Sequence, residues 1–298
     1  MAPDGVRSHH GTPKLTMPTF ELPNGTPVPR LGQGTWRLAE SPKHRAAELA
    51  ALVLGLDLGL TLIDTAEMYG EGSAEELVGE AIAGRRADTY LVSKVYPHNA
   101  TRRGAITACE RSLQRLGTDY LDLYLLHWRG GVPLAETLEA FVALVDAGKI
   151  RHFGVSNFDV SDLDEAAALP GGTAVATNQV LYNLEHRGIE WDLLNWCRAC
   201  AMPIMAYSPL GSSPRNVKRL LRSAALQDVA ARHDATPAQI ALAWALRHTN
   251  VYVIPKATTE AHVRENRGAL DLSLSAEDLS ELDRNFPPPR HKVPLALL

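Results

Sequence analysis

The sequence predicts a closed (β/α)8 barrel, the TIM-barrel fold, on three observations. From about residue 31 onward, short apolar runs alternate with longer amphipathic segments, as in parallel α/β proteins. The alternation repeats eight times along the 298 residues, and no linker-like gap interrupts it. Eight uninterrupted units favour closure into a barrel over an open doubly wound sheet.

The eight apolar runs are too short for helices, and several are rich in β-branched residues, which favours strands. They are Leu31–Thr35, Thr61–Asp64, Tyr90–Lys94, Leu121–Leu126, Ile150–Val155, Val175–Gln179, Ile204–Tyr207 and Val251–Ile254.

Helix-start signals lie between these strands. Ser41-Pro42 offers a capping residue followed by proline, Ser73–Glu76 has capping-box spacing, and Thr236–Gln239 combines both signals. An apolar stripe at helical spacing in the first helix predicts the face that packs on the sheet. It consists of Ala46, Leu49, Ala50, Val53 and Leu54.

Two segments precede the first barrel unit. Residues 1–17 lack the apolar stretch of a secretion signal, and we expect a flexible tail ahead of one barrel domain over residues 18–298. Thr19–Leu22 and Pro27-Val28 flank Asn24-Gly25, a type I′ turn signal, which predicts a β-hairpin that plugs one end of the barrel.

Two more segments follow the eighth unit. Ser275–Phe286 has the signals of a capped helix, and the remainder through Leu298 begins with three prolines. We expect a C-terminal helix followed by a stiff extended tail, because consecutive prolines favour the extended polyproline conformation.

Composition excludes several classes of protein. A formal charge of -4 and a pI near 6.3 give no basic field for nucleic acid. No run approaches the roughly 18 apolar residues of a membrane span. Three cysteines cannot build a disulfide framework, and Cys197 and Cys200 lie in an apolar helical run that favours packing over a dithiol. We expect a cytoplasmic monomer or weak homo-oligomer.

Four ionisable residues fall at or just after strand ends, where barrel enzymes place their chemistry. Asp64 ends the second strand, Tyr69 follows it, Lys94 ends the third strand, and His127 follows the fourth. Each alone is well explained as a structural residue: a helix cap, a rim aromatic, a solvated lysine or a core histidine. Together they predict one site in which Lys94 lowers the pKa of Tyr69, so that the phenol acts as a proton donor.

The motifs around these residues resemble the aldo-keto reductase superfamily over nearly the whole chain. Asp64–Gly70 resembles the first family signature, Leu121–His127 the histidine strand, and Ile254–Ala257 the cofactor motif. The resemblance implies Asp64, Tyr69, Lys94 and His127 as the catalytic tetrad. It also implies reduction of aldehydes and ketones, and the reverse oxidation, with NADPH.

The same resemblance implies the cofactor contacts. Ser156, Asn157 and Gln179 would hold the nicotinamide carboxamide, and Tyr207 would stack on the nicotinamide ring. The loop over the pyrophosphate and the adenosine site complete the set: Ser208, Pro209, Leu210, Gly211, Ile254, Lys256, His262, Glu265 and Asn266.

Two departures from the family pattern bear on the choice between NADPH and NADH. Many relatives have serine after the motif lysine and arginine six residues after it, where this chain has Ala257 and His262. An imidazole is only partly protonated near neutral pH, so His262 is a weaker partner for the adenosine 2′-phosphate than arginine. We expect a preference for NADPH, with some acceptance of NADH.

Substrate contacts are predicted from position. Trp36 and Trp128 follow strands, and Phe286 leads into the tail, so we expect an apolar, aromatic-walled pocket for a small carbonyl or alcohol. The short loop Trp128–Pro133 suggests an open site that accepts many substrates.

Other chemistries have less support. A Rossmann cofactor site is disfavoured, because no third glycine follows Gly32-Gln-Gly34. No His, Cys or Asp cluster has zinc spacing, so no metal is expected. Two alternatives stay open: a Schiff-base aldolase that uses Lys94, and a cofactor-binding regulatory subunit of the same fold.

Overall fold

A two-stranded hairpin precedes an eight-stranded parallel barrel in the computed structural model, which describes residues 17–22 and 25–298. The hairpin consists of β1 (Thr19–Glu21) and β2 (Pro27–Pro29). The barrel strands are β3 (Gly32–Gly34), β4 (Leu62–Asp64), β5 (Tyr90–Val95), β6 (Leu121–Leu126), β7 (Ile150–Ser156), β8 (Val175–Leu181), β9 (Ile204–Tyr207) and β10 (Val251–Val253). The predicted (β/α)8 barrel is confirmed.

The barrel closes between its last strand, β10, and the segment that leads into its first strand, β3. Leu31 pairs with Val253 in parallel, and the Gly34 N–H donates to the Pro255 carbonyl at 3.1 Å. A Cβ on Gly34 would lie 2.6 Å from the carbonyl oxygen of Ile254, so only glycine permits this approach. Gly34, which does not fit the Rossmann pattern, therefore serves barrel closure.

Helices cover the outside of the barrel. They are α1 (Pro42–Asp57), α2 (Ser73–Ala81), α3 (Arg102–Leu116), α4 (Leu134–Asp146), α5 (Val160–Ala168), α6 (Leu193–Ala199), α7 (Pro214–Leu221), α8 (Ala224–Arg232), α9 (Pro237–Ala245), α10 (Glu260–Gly268) and α11 (Ala276–Asn285). Thr236 and Ser275 form capping boxes at the starts of α9 and α11, and both predicted helix starts are confirmed. Three helices, α7 to α9, occupy the single connection after β9.

One sequence expectation about helices is wrong and another is right in part. Ser73 lies inside α2, whose N-cap is Gly72, and its hydroxyl donates to the Gly70 carbonyl at 2.8 Å instead of capping the helix. Of the predicted stripe of α1, Leu49, Val53 and Leu54 pack against the core, whereas the two alanines are exposed. The fully buried residues of α1 are Glu48, Ala51, Leu52, Gly55 and Leu56. Glu48 is buried there because its carboxylate accepts from the Ala39 N–H at 2.8 Å.

The hairpin plugs the end of the barrel where the strands begin. Leu22 and Val28 pack with residues of the barrel interior, and the ring centroids of Phe20 and Tyr252 lie 4.7 Å apart. The predicted plug is confirmed. The type I′ turn includes Asn24 and the expected flexible tail includes residues 1–16, and these lie outside the described residues.

The C-terminal tail follows α11, as predicted. Lys292 holds it against the barrel through ion pairs to Asp159 at 3.0 Å and Asp192 at 2.8 Å. Leu295 packs on the main core, and Leu297 and Leu298 reach a cavity of about 960 Å³, called the main cavity below.

Candidate active site

The alternation of side chains along strands places three of the four predicted catalytic residues at one mouth of the barrel, and Tyr69 follows in the turn after β4. Leu62, Val92 and Leu125 fill the barrel interior. Residues two positions further along a strand point to the same face. Asp64, Lys94 and His127 therefore project inward above them, at the end opposite the hairpin.

Lys94 connects this group. Its Nζ donates to Asp64 Oδ2 at 2.7 Å, to the Thr65 carbonyl at 2.8 Å and to Tyr69 Oη at 3.2 Å. The rings of Tyr69 and His127 meet edge to face, with centroids 5.7 Å apart. The structure thus brings the four residues together.

Burial dominates the electrostatics of the site. It raises the pKa of Asp64 and lowers that of Lys94, although each charge favours the other. Burial and the charge of Asp64 raise the pKa of Tyr69 well above its ordinary value. The pKa of Tyr69 is therefore not lowered overall, as the sequence led us to expect, because burial and the Asp64 carboxylate both disfavour the phenolate.

His127 is the fourth member. Burial, with the nearby Lys94 ammonium, lowers the pKa of His127 well below its ordinary value. The ring is therefore neutral near neutral pH. Its Nδ1 is buried without a hydrogen-bond partner among the described residues. A neutral imidazole beside a phenol can position a substrate oxygen.

The enclosure of Lys94 disfavours the aldolase alternative. The side chain is 0% exposed, and its three ammonium protons are directed to three acceptors. A Schiff base requires a neutral amine that the substrate can reach.

The main cavity, of about 960 Å³, extends from the catalytic residues along the barrel mouth to α10. Every residue predicted to contact the cofactor lines it. These are Ser156, Asn157, Gln179, Tyr207, Ser208, Pro209, Leu210, Gly211, Ile254, Lys256, His262, Glu265 and Asn266.

The part of the cavity beside the tetrad is tightly hydrogen-bonded. Asn157 donates to the His127 carbonyl at 3.1 Å and accepts from Tyr207 Oη at 2.9 Å. Gln179 Nε2 donates to Asp64 Oδ1 at 2.7 Å. Asn157 and Ser208 both have positive φ, 62° and 47°, which non-glycine residues adopt at a cost and mainly at functional sites.

The far part of the cavity carries cations. Arg37, Lys218, Arg222 and Lys256 line it, and none forms an ion pair within the described ranges. Partial burial and Arg37 lower the pKa of Lys256. Sequence reasoning missed Arg37, Lys218 and Arg222, although Lys218 on α7 and Arg222 at the C-cap of that helix are four residues apart and so lie on one side of it.

The three residues predicted to line the substrate pocket lie in two different cavities. Trp36 and Trp128 line the main cavity, as expected. Phe286 does not: it lines a separate cavity of about 460 Å³ between the tail and the loop after β8, where its carbonyl accepts from buried Arg187. The end of the tail, Leu297-Leu298, reaches the main cavity in its place.

The described part of the chain contains no group of three His, Cys, Asp or Glu residues poised to hold a metal ion. Over the same ranges, no helix is both long enough and apolar enough to cross a bilayer.

Comparison with known proteins gives a consistent result. The model of the aldo/keto reductase family matches residues 30–285. Methylglyoxal reductase YeaE of Escherichia coli is 52% identical over 271 residues, 91% of this chain and 95% of that protein. Glyoxal reductase of Bacillus subtilis is 33% identical over 268 residues, 89% of this chain and 91% of that protein.

Solved structures agree. An aldo/keto reductase from Klebsiella pneumoniae in complex with NADP and acetate superposes with a TM-score of 0.92 and 49% identity. The match covers 95% of this chain and all of that one.

Proposed function

This chain belongs to the aldo/keto reductase family of NAD(P)H-dependent oxidoreductases, and on that premise we propose that it reduces aldehydes and ketones with Tyr69 as the general acid. The observation that carries the proposal is the contact of Lys94 Nζ with both Asp64 and Tyr69 Oη. That contact places a compensating positive charge where the phenolate forms.

The proposed steps follow from the protonation states. The nicotinamide cofactor, when bound, supplies a hydride to the carbonyl carbon. Tyr69 is protonated near neutral pH and donates its proton to the carbonyl oxygen. The Lys94 ammonium, 3.2 Å away, stabilises the resulting phenolate. His127 is neutral and orients the substrate oxygen. Alcohol oxidation reverses these steps, with the Tyr69 phenolate as base.

The residues present fit a dinucleotide phosphate. The cavity joins the tetrad to a group of cations at its far end that have no ion pair among the residues the structure describes, and an extended polyanion requires such an arrangement. We propose that Lys256, with help from His262, binds the adenosine 2′-phosphate and that NADPH is preferred to NADH.

The substrate proposal rests on the relatives and on the cavity wall. Relatives at 52% and 33% identity are a methylglyoxal reductase and a glyoxal reductase. Trp36 and Trp128 give this chain an aromatic wall beside Tyr69. We propose small 2-oxoaldehydes as its preferred substrates within a broader range of carbonyls.

One assay tests the proposed function. Oxidation of NADPH and NADH is followed by absorbance with methylglyoxal, glyoxal, simple aldehydes, ketones and sugars. We expect turnover with NADPH, with the highest kcat/KM for the 2-oxoaldehydes. Tight NADPH binding without turnover of any carbonyl would instead support the regulatory alternative. Trapping of substrate on Lys94 by borohydride, without nicotinamide, would support the aldolase.

A further inference from the structure

The turn that carries Tyr69 has an unusual backbone. Gly70, Glu71 and Gly72 follow Tyr69 with φ values of 55°, 54° and 98°. Glu71 is not glycine, so its left-handed conformation has an energetic cost. Such a turn keeps its shape only if its surroundings hold it.

The side chain of Glu67, two residues before Tyr69, contacts the segment that follows β5 and so helps to hold the turn. Its Oε1 accepts the Tyr96 N–H at 2.7 Å and Asn99 Nδ2 at 3.0 Å. Tyr96 follows Val95, the last residue of β5, so the Tyr96 N–H lies beyond the strand ladder. Glu67 is half-buried and forms no ion pair within the described ranges. Both bonds that it accepts go to one carboxylate oxygen, Oε1.

The segment that Glu67 holds touches two further tetrad members. Lys94 is only two residues before Tyr96 on the same strand end. The Tyr96 ring packs against His127, with centroids 6.4 Å apart, and the His127 N–H donates to the Val95 carbonyl at 3.1 Å. The Glu67 side chain therefore joins the turn bearing Tyr69 to the strand end bearing Lys94, next to His127, and adds to the backbone bond from the Glu67 N–H to the Lys94 carbonyl at 3.4 Å.

We propose that Glu67 is a positioning residue that sets Tyr69 Oη against Lys94 Nζ. The inference rests on the proposed function, because it assumes that this contact supports proton transfer. Glu67 acts as a hydrogen-bond acceptor rather than as a charge, since both partners are neutral donors. Glutamine offers the same acceptor oxygen and alanine does not.

The test compares Glu67→Ala and Glu67→Gln with the matched control Glu71→Ala. The Glu71 side chain lies in the same turn, is exposed, and has no hydrogen bond or ion pair among the described residues. Glu67→Ala should lower kcat about 10- to 100-fold, because a misplacement of about 1 Å can cost roughly 100-fold. KM and the Kd for NADPH should change less than about twofold. Glu67→Gln and Glu71→Ala should keep most of kcat.

The pH profile separates positioning from general damage to the fold. With Tyr69 displaced from Lys94, the phenolate loses its charge partner, so the alkaline fall in the reduction rate of Glu67→Ala should move to higher pH. If Glu67→Ala does not fold, Asn99→Ala, which removes one of the two donors, should lower kcat several-fold with the same pH shift.

Normal kcat in Glu67→Ala would overturn the proposal. So would a loss in Glu67→Gln as deep as in Glu67→Ala, because the charge would then matter more than the acceptor. Absence of carbonyl reduction by the unsubstituted chain would refute the proposed function instead, and that measurement comes first.

Discussion

The two ends of the main cavity differ in how their charged side chains are paired. At the catalytic end, Lys94 and Asp64 are buried and paired at 2.7 Å. At the far end, Lys218, Arg222 and Lys256 line the cavity without an ion pair in the described ranges. The paired charges attract and hold each other in place, whereas the cations at the far end repel one another, and an anion bound between them would relieve that repulsion.

This difference indicates a division of labour. A buried, paired charge near a phenol alters proton affinity and supports chemistry. Unpaired cations on a cavity wall add affinity and selectivity for a negatively charged ligand. Substitutions at the first end should therefore change kcat, and substitutions at the second end should change cofactor affinity.

The largest effect is expected for Tyr69→Phe. Carbonyl reduction should fall by about 10²–10⁴, the usual contribution of a positioned general acid, with the Kd for NADPH unchanged. Steady-state kinetics and fluorescence titration measure the two quantities. Near-normal turnover would remove Tyr69 from the mechanism and would contradict the division of labour between the two ends of the cavity.

Lys94→Met should lower kcat by about 100-fold or more, because the phenolate loses its charge partner. It also leaves Asp64 buried and unpaired, which typically costs about 3–5 kcal/mol of stability. Denaturant unfolding alongside kinetics checks both results. Weakened cofactor binding with normal kcat would mean that Lys94 contributes to cofactor affinity, like the cations at the far end of the cavity, and not to proton transfer.

The direction of the reaction should set its pH dependence. Burial and Asp64 raise the pKa of Tyr69, and burial and Lys94 lower that of His127, so neither group titrates in the neutral range. Reduction needs the protonated phenol and should stay level near neutral pH, then fall as alkaline pH ionises Tyr69. Alcohol oxidation needs the phenolate and should rise with pH. Profiles of kcat/KM in both directions test this, and a reduction rate that changes steeply near pH 6–7 would contradict it.

Smaller effects are expected at the cationic end. Lys256→Ala should reduce the ratio of NADPH to NADH affinity by about tenfold, the usual worth of one charge-assisted hydrogen bond. Arg222→Gln should reduce it by about two- to fivefold, since exposed pairs contribute less.

The control for these changes is Arg215→Gln, which removes an exposed charge from α7 outside the cavity. Binding of NADPH and NADH is titrated by tryptophan fluorescence at low and high salt. Added salt should reduce the difference in affinity between the two cofactors, because it screens exposed charges. Equal losses for both cofactors would place Lys256 or Arg222 on the pyrophosphate instead of the 2′-phosphate.

The barrel and the tetrad could be predicted because local patterns encode them. Strand runs such as Leu121–Leu126 match the structure residue for residue. Side-chain alternation then brings Asp64, Lys94 and His127 to one mouth without any knowledge of tertiary contacts.

Other features depend on contacts between distant segments. The buried face of α1 includes Glu48, which only the Ala39 N–H explains, and Ser73 bonds to Gly70 instead of capping α2. Likewise, the high pKa of Tyr69 reflects burial, which a sequence pattern does not report. The arrival of Leu297-Leu298 at the cavity, where Phe286 was expected, depends on the path that Lys292 fixes for the tail.

That path matters for the practical handling of the protein. Because Leu297 and Leu298 line the main cavity, a purification tag or surface linker fused after Leu298 would start at the cavity in which we propose that substrate and cofactor bind. The hairpin of β1 and β2 closes the opposite end of the barrel. A surface linker attached near the hairpin would therefore start at the end of the barrel away from Leu297 and Leu298, and it is the better choice for immobilising the enzyme on a support.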